Sequence, residues 1–373
     1  MSDTHLLQIE DERGRKVSLE LMSKGLTVHR LLVERPGFPP RDLICGPEKT
    51  DGYTQEGRRF KNQVVGRYTN RLAGGQTLIE TREGEQLSLN LERNDPTHRV
   101  YADHGKNCLH SGSDGYDLRD FEYVSEDSAI VRSFKDDPNN TSGLPLNTTG
   151  EKVFLHLYSP ANDQGFPESI DILATATLSA AGNSGENAHA QPMMPSHSLV
   201  GCLTFSLQAR IREPLETLKQ SHIRGTPINL TWHNGYIMND FKTNAGEEGG
   251  ISQHKLGILG EHYVEVDKEL LPTGELRPAK EIGLDSNGDF ISGEGVELIG
   301  EQIPKDGFVF KEPERLELPK VTLRSPSDDL VMNFRTNQTA VQCYSSNFFD
   351  GSGFRKNLHQ NQSTPQGYSK QGT

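Results

Sequence analysis

Short stretches that alternate apolar and polar residues dominate the chain. Thr27–Val33, Leu87–Leu91, Val153–Tyr158, Ile170–Leu178, Cys202–Ile211, Val296–Ile299 and Val331–Phe334 each run a few residues and end at Gly, Pro, Asn or Asp. A period of two bounded by turn residues is the signature of a strand with one face buried. No segment holds a 3.6-residue apolar stripe through three turns. Leu215–Ile223 comes nearest and sits directly behind Pro214. The pattern predicts an all-β chain with at most short helices.

Between the strands lie small polar runs. Residues 179–198 (SAAGNSGENAHAQPMMPSHS) and residues 136–151 read as surface insertions, because strand character resumes at once on both flanks. The tail from Gly351 to Thr373, rich in Gln, Asn, Ser and Gly, carries no strand pattern and is expected to lie loose. No repeat of fixed period appears, which removes weight from propellers and solenoids. The expectation is one domain over residues 1–373, since large β-sandwiches reach this length as single units.

Composition changes this picture little. Hydrophobic residues make up 33%, with 37 Gly and 20 Pro, which suits strands joined by long polar connections. A net charge of −13 repels nucleic acid and anionic membranes, so neither is an expected partner. The four cysteines, Cys45, Cys108, Cys202 and Cys343, show no metal-ligand spacing and are expected to be buried free thiols. The first residues lack an apolar signal core and no stretch approaches the ~18 apolar residues of a membrane span, so a cytoplasmic protein is expected.

Chemistry concentrates in three segments. Asn229-Leu230-Thr231-Trp232-His233-Asn234 puts a histidine in a strand-like run after a Thr-Pro step. Histidine titrates nearest neutral pH and is suited to proton transfer, although a lone strand histidine is more often a hydrogen-bonded filler. Gly66-Arg67-Tyr68-Thr69-Asn70-Arg71-Leu72 offers two forked guanidinium donors and an amide, or else a surface arginine pair. Asn107-Cys108-Leu109-His110-Ser111-Gly112 sets a histidine against a turn of small residues, where backbone can approach a ligand closely.

In order and content these segments resemble the aldose 1-epimerase (galactose mutarotase) family. Gly66–Leu72 is similar to its G-R-Y-x-N-R-I signature, Asn107–Gly112 to N-x-L-H-G-G, and Asn229–His233 to N-L-T-N-H. Gly165–Glu168 resembles G-F-P-G, Leu271–Glu275 resembles L-I-P-T-G-E, and Gln342–Phe348 resembles Q-x-Y-T-G-N-F. The resemblance implies a large antiparallel β-sandwich that opens and recloses an aldohexose ring with one acid, one base and no cofactor. It implies His233 as the acid at the ring oxygen, and Asn70, Arg71, His110, Asp289 and Gln342 as groups that grip the sugar. Asp285 is a rival to Asp289. Trp232 and Tyr236 are candidates for an apolar floor beneath the sugar, and a monomer or weak dimer is expected.

The departures from the family pattern are specific. Trp232 stands in place of an asparagine, Asn234-Gly235 in place of a Ser/Thr-Tyr pair, and Ser111 in place of a glycine. The family's base is a glutamate in a G-F-C-L-E strand soon after the Q-x-Y-T-G-N-F segment, yet the last glutamate here is Glu317 and the only later carboxylate side chain is Asp350. Three readings stand open: a chain lacking its last segment, a homologue that binds sugar without turnover, or a substitute base from Asp350 or the Glu261–Asp267 stretch. An epimerase of hexose phosphates is a further alternative, against which the acidic balance weighs.

Overall fold

The computed structural model describes residues 4–57, 60–80, 84, 86–95, 106–137, 150–180, 198–212, 225–239, 254–282, 308–310, 319–344, 351–360 and 367–368. The chain opens with four antiparallel strands in sequential order: β1 (Thr4–Glu10), β2 (Lys16–Met22), β3 (Thr27–Glu34) and β4 (Arg41–Asp42). β5 (Gln63–Val65) follows, then β6 (Arg71–Ala73), the hairpin β7 (Gly75–Glu80) and β8 (Gln86–Leu91), and β9 (Asn107–Leu109), which returns to pair with β6. A second antiparallel sheet holds β10 (Glu122–Val124), β11 (Glu151–Ser159), β12 (Ile170–Ala180) and β13 (Gly201–Ile211). β14 (Thr231–His233) pairs with β5. Seven further short strands complete the described fold: β15 (Lys255–Ile258), β16 (Gly260–Val266), β17 (Pro272–Pro278), β18 (Phe308–Phe310), β19 (Val321–Arg324), β20 (Val331–Phe334) and β21 (Ala340–Val341). The only α-helices among the described residues are α1 (Gly52–Gln55) and α2 (Ala129–Lys135).

The fold is therefore all-β and antiparallel, as the alternation implies. The sheet of β1–β4 and the sheet of β10–β13 share one core. Leu7, Leu19, Leu21, Val28 and Leu31 come from the first sheet, and Val153, Leu155, Ile170, Ile172, Ala174 and Ala176 from the second. Burying each of the valine, leucine and isoleucine side chains stabilises by about 1.5–3 kcal/mol, which is what holds the layers together. β12 differs from the half-buried strand its sequence suggests. Ten of its eleven residues are buried, because Leu173 on the second face packs with Val131 and Phe134 of α2. Its polar Asp171 is satisfied there by His156, at 2.8 Å.

Three sequence expectations need correction. The tail is not loose where it is described: Lys356, His359 and Tyr368 are buried. The Lys356 ammonium donates to Asp42 of β4 at 2.8 Å, and His359 bridges the Asp42 carbonyl and the Tyr368 hydroxyl, both at 2.6 Å. Each of these polar residues has a partner more than 300 positions away, so local composition hides their burial. Of the cysteines, Cys45 and Cys108 are buried, whereas Cys202 is exposed and Cys343 half-buried. Trp232 is no floor for a ligand: it points into the sheet core, 4.0 Å from the Phe205 ring, and its indole donates to the Leu26 carbonyl. The strand expected at residues 296–299, the run of residues 215–223 that comes nearest to a helical stripe, and most of both insertions lie outside the described residues.

Candidate functional site

The motif segments are tied to one another by hydrogen bonds. Gly66 begins the arginine segment where a Cβ would come within 2.5 Å of the Tyr116 ring and of Leu230, so only glycine lets the backbone pass. The next residue, Arg67, is not a ligand-facing donor. It is 1% exposed and donates to the carbonyls of Pro160, Pro167 and Glu168, at 3.1, 2.6 and 2.9 Å, and to the Ser159 hydroxyl. It thereby fixes the Gly165–Glu168 turn. Arg67 and Thr69 also exchange backbone bonds with Asn229, the residue that opens the histidine strand (Asn229 N to Arg67 O 2.9 Å, Thr69 N to Asn229 O 2.8 Å).

Asn70 and His110 face each other across β6 and β9. The His110 amide donates to the Asn70 carbonyl at 3.0 Å, and the Asn70 amide donates to His110 Nδ1 at 3.1 Å. With Nδ1 accepting, a neutral His110 carries its proton on Nε2. Both residues sit in the left-handed region (Asn70 φ 68, His110 φ 53), as does Ser111 (φ 69). Asparagine tolerates that conformation best, and for the histidine the surrounding bonds must outweigh a local cost of about 1 kcal/mol or more. Ser111, where the resemblance expects a glycine, supplies two of those bonds: its hydroxyl accepts from the Tyr68 amide at 2.6 Å and donates to the Tyr68 carbonyl at 3.0 Å.

Arg71 donates from Nε to Asp95 Oδ2 at 2.7 Å and from Nη1 to Asn70 Oδ1 at 3.2 Å. The Asp95 side chain is fully buried. Asn94 beside it pairs with Leu109 through its side-chain amide like an extra strand residue, at 2.8 and 3.0 Å, which sets Asp95 against Arg71. Asn70 Nδ2 reaches Gln342 Oε1 at 3.1 Å, bringing in the segment after β21. Asn107, at the start of β9, donates to the Glu269 carbonyl at 2.5 Å, next to the Leu271–Glu275 segment.

His233 completes the group. The pairing of β14 with β5 sets it opposite Gln63, and the period of two that turns Trp232 inward turns His233 to the other face. Its ring lies 5.6 Å from the His110 ring, nearly perpendicular at 80°, and the Phe60 ring packs against His110 at 4.4 Å. Asn62 holds the strand from behind. Its amide donates to the His233 carbonyl at 2.8 Å and its Oδ1 accepts from the Gly235 amide at 2.8 Å. Burial lowers the His233 pKa below its usual 6.5, opposed by bonds to the His233 and Phe60 carbonyls and by the charge of Asp117. Tyr236, the other proposed floor residue, packs against Phe334, and burial pushes its hydroxyl up to about 12.

Asn70, Arg71, His110, Gln342 and His233 thus form one connected cluster. Asp289, its rival Asp285 and Asp350 lie outside the described residues. In the Glu261–Asp267 stretch, Glu265 is bound to Arg277 at 2.6 Å and Asp267 caps its own turn through the amides of Glu269 and Leu271. Sequence reasoning missed Asp95, Asn94, Asn62 and Phe60. An aspartate before a proline reads as a turn residue, and nothing local marks Asp95 as a partner of Arg71. Among the described residues, no group of three or more His, Cys, Asp or Glu side chains could hold a metal ion, and no helix is long and apolar enough to cross a membrane.

The chain is similar to known proteins. The family model described as aldose 1-epimerase matches residues 203–369. Galactose mutarotase of Mus musculus is 23% identical over 346 residues, covering 92% of this chain and 79% of that protein. Aldose 1-epimerase of Haemophilus influenzae is 25% identical over 356 residues, covering 94% and 81%. The solved structure of an aldose epimerase homologue from C. elegans superimposes with a TM-score of 0.63 at 18% identity, covering 94% of this chain and 84% of that one, and so shares the fold.

Proposed function

We propose that this chain, which belongs to the aldose 1-epimerase family, interconverts the α and β anomers of a neutral aldohexose such as galactose or glucose. The observation that carries the reading is the convergence of His233, His110, Asn70, Arg71 and Gln342, residues up to 272 positions apart, on one cluster of hydrogen-bonded groups. Together they offer what a polyhydroxyl ligand needs: a guanidinium, two amides and two imidazoles. In this reading His233 gives a proton to the ring oxygen as the anomeric hydroxyl loses its own, and rotation about the first carbon–carbon bond precedes reclosure on the other face. Phe60, against His110, takes the floor role in place of Trp232. The reaction calls for no cofactor, and the protein works in the cytoplasm as one domain, monomeric or weakly dimeric.

A second reading is favoured by one observation. Among the described residues, the carboxylate bound into the cluster is Asp95, which is fully buried and held by Arg71, so it is committed to that cation and is a poor acceptor for the anomeric proton. A site without a proton acceptor would bind the sugar without turning it over. Polarimetry on freshly dissolved α-galactose separates the two: acceleration of the optical change supports the enzyme, and its absence with sugar binding retained supports the binder. In the enzyme, His233→Asn should reduce kcat by about 100-fold or more, the usual contribution of a general acid, with little change in affinity. Full activity in that variant would refute the role given to His233.

A further inference from the structure

We propose that Asp95 is a positioning and specificity-determining residue: it fixes the plane of Arg71 and neutralises its charge, so that the site selects uncharged aldoses over aldoses carrying a carboxylate or phosphate. This rests on the sugar site proposed above. The bond from Arg71 Nε to Asp95 Oδ2, at 2.7 Å, anchors one edge of a planar group in which all five N–H vectors lie, so one contact orients every donor. Asn70 Oδ1 fixes a second point at 3.2 Å. Asn70, Gln342 and a neutral His110 add no charge to this set.

An arginine inside a sugar site has two uses. Alone, it is a receptor for an anion, with the fork geometry that matches carboxylate and phosphate. Bound to a buried carboxylate, it becomes half of a neutral pair whose remaining attraction is for hydroxyl dipoles. Asp95, with a side chain wholly out of solvent, is placed for the second use, since its charge is little screened by water. An anionic sugar there would lose its hydration and face the Asp95 charge as well as that of Arg71.

Galactose and galacturonate test this, because they share a ring and differ only in whether the sixth carbon is a hydroxymethyl or a carboxylate. Calorimetric binding reads the selectivity, and polarimetry reads the reaction separately, so a protein that binds without turnover still tests the proposal. The natural protein should bind galactose at least tenfold more tightly than galacturonate. Asp95→Asn should weaken galactose by about tenfold and strengthen galacturonate, reversing or abolishing the preference, while Asp95→Glu restores it. A merely structural role for Asp95 would move both sugars by the same factor, and that result would overturn the proposal. Equal binding of the two sugars by the natural protein would overturn it even if Asp95→Asn failed to fold.

Discussion

Two buried histidines make the fold sensitive to acid. His29 and His359, each 2% exposed, have pKa values lowered from 6.5 to about 4, chiefly by burial and secondly by the positive charge of Lys356, with Asp42 opposing. The Lys356–Asp42 pair is itself sealed from solvent, so a histidinium beside it would have to share Asp42 with Lys356. Protonation is therefore favoured in the unfolded chain, which binds the proton from pH 6.5 downward, while the folded chain resists until about pH 4. Stability is full above pH 6.5 and is lost as pH falls from there toward 4. Linkage gives a loss of about 2 kcal/mol per histidine at pH 5, about 4 kcal/mol together, a large part of the 5–15 kcal/mol typical of a domain. Urea unfolding followed by the single tryptophan, Trp232, measures this at pH 7.5 and pH 5. The control is His29→Leu with His359→Gln. His29 Nδ1 has no partner to lose, and glutamine can donate to the Asp42 carbonyl and accept from Tyr368 as the neutral imidazole does. This double variant should lose about 4 kcal/mol less than the natural protein between the two pH values. Equal losses would refute the argument, whatever the stability of either protein at pH 7.5.

Two further outcomes follow from buried cations and lowered pKa values. Arg67→Ala should destabilise by about 3–5 kcal/mol, because the carbonyls of Pro160, Pro167 and Glu168 lose their shared donor in a site that is 1% exposed; a melting temperature within 2 °C or so of the natural protein would contradict this. The pH profile of kcat/KM, after subtraction of the spontaneous rate, should show its acid-requiring limb below pH 6.5, since burial lowers the His233 pKa and the proton-bearing fraction falls as pH rises through that value; a limb above pH 7 would assign the proton to another group.

Most of the strands legible in the sequence have one face on the core and the other in more polar surroundings; β12 is legible although both of its faces are buried. β3, β8, β11, β12, β13 and β20 all coincide with alternating segments within two residues at either end. β1 and β2 lie outside those segments. β1 places Leu6 and Leu7 side by side, and Leu6 stays exposed, so its alternation is weak. Within the site, Asn70, Arg71, His110, Gln342 and His233 were readable because each lies in a segment with its own composition. Their supports were not. Asn94, Asp95, Asn62 and Phe60 act through contacts between separate strands, and a side chain that serves a distant neighbour leaves no local pattern.

The division of labour between the two arginines explains why the arginine segment is so dense. A guanidinium in a ligand site needs a rigid backbone beneath it, and here the backbone is left-handed at Asn70 and at His110, where it is strained. Arg67 supplies rigidity from one side by binding the 159–168 loop and, through its own carbonyl, the Asn229 amide. His110 and Ser111 supply it from the other, through Asn70 and Tyr68. Arg71 is then held between Asp95 and Asn70 with its plane already set. Ordering these groups before the ligand arrives means that binding does not have to supply that ordering, which is how a small neutral ligand gains affinity from hydrogen bonds alone. The same fixed frame carries His233, since its strand is bound to Asn62 on one side and reaches Arg67 through Asn229 on the other. A proton donor placed on so rigid a frame can be held at hydrogen-bond distance from one ring oxygen, so the residues that never touch the sugar set the geometry for those that do.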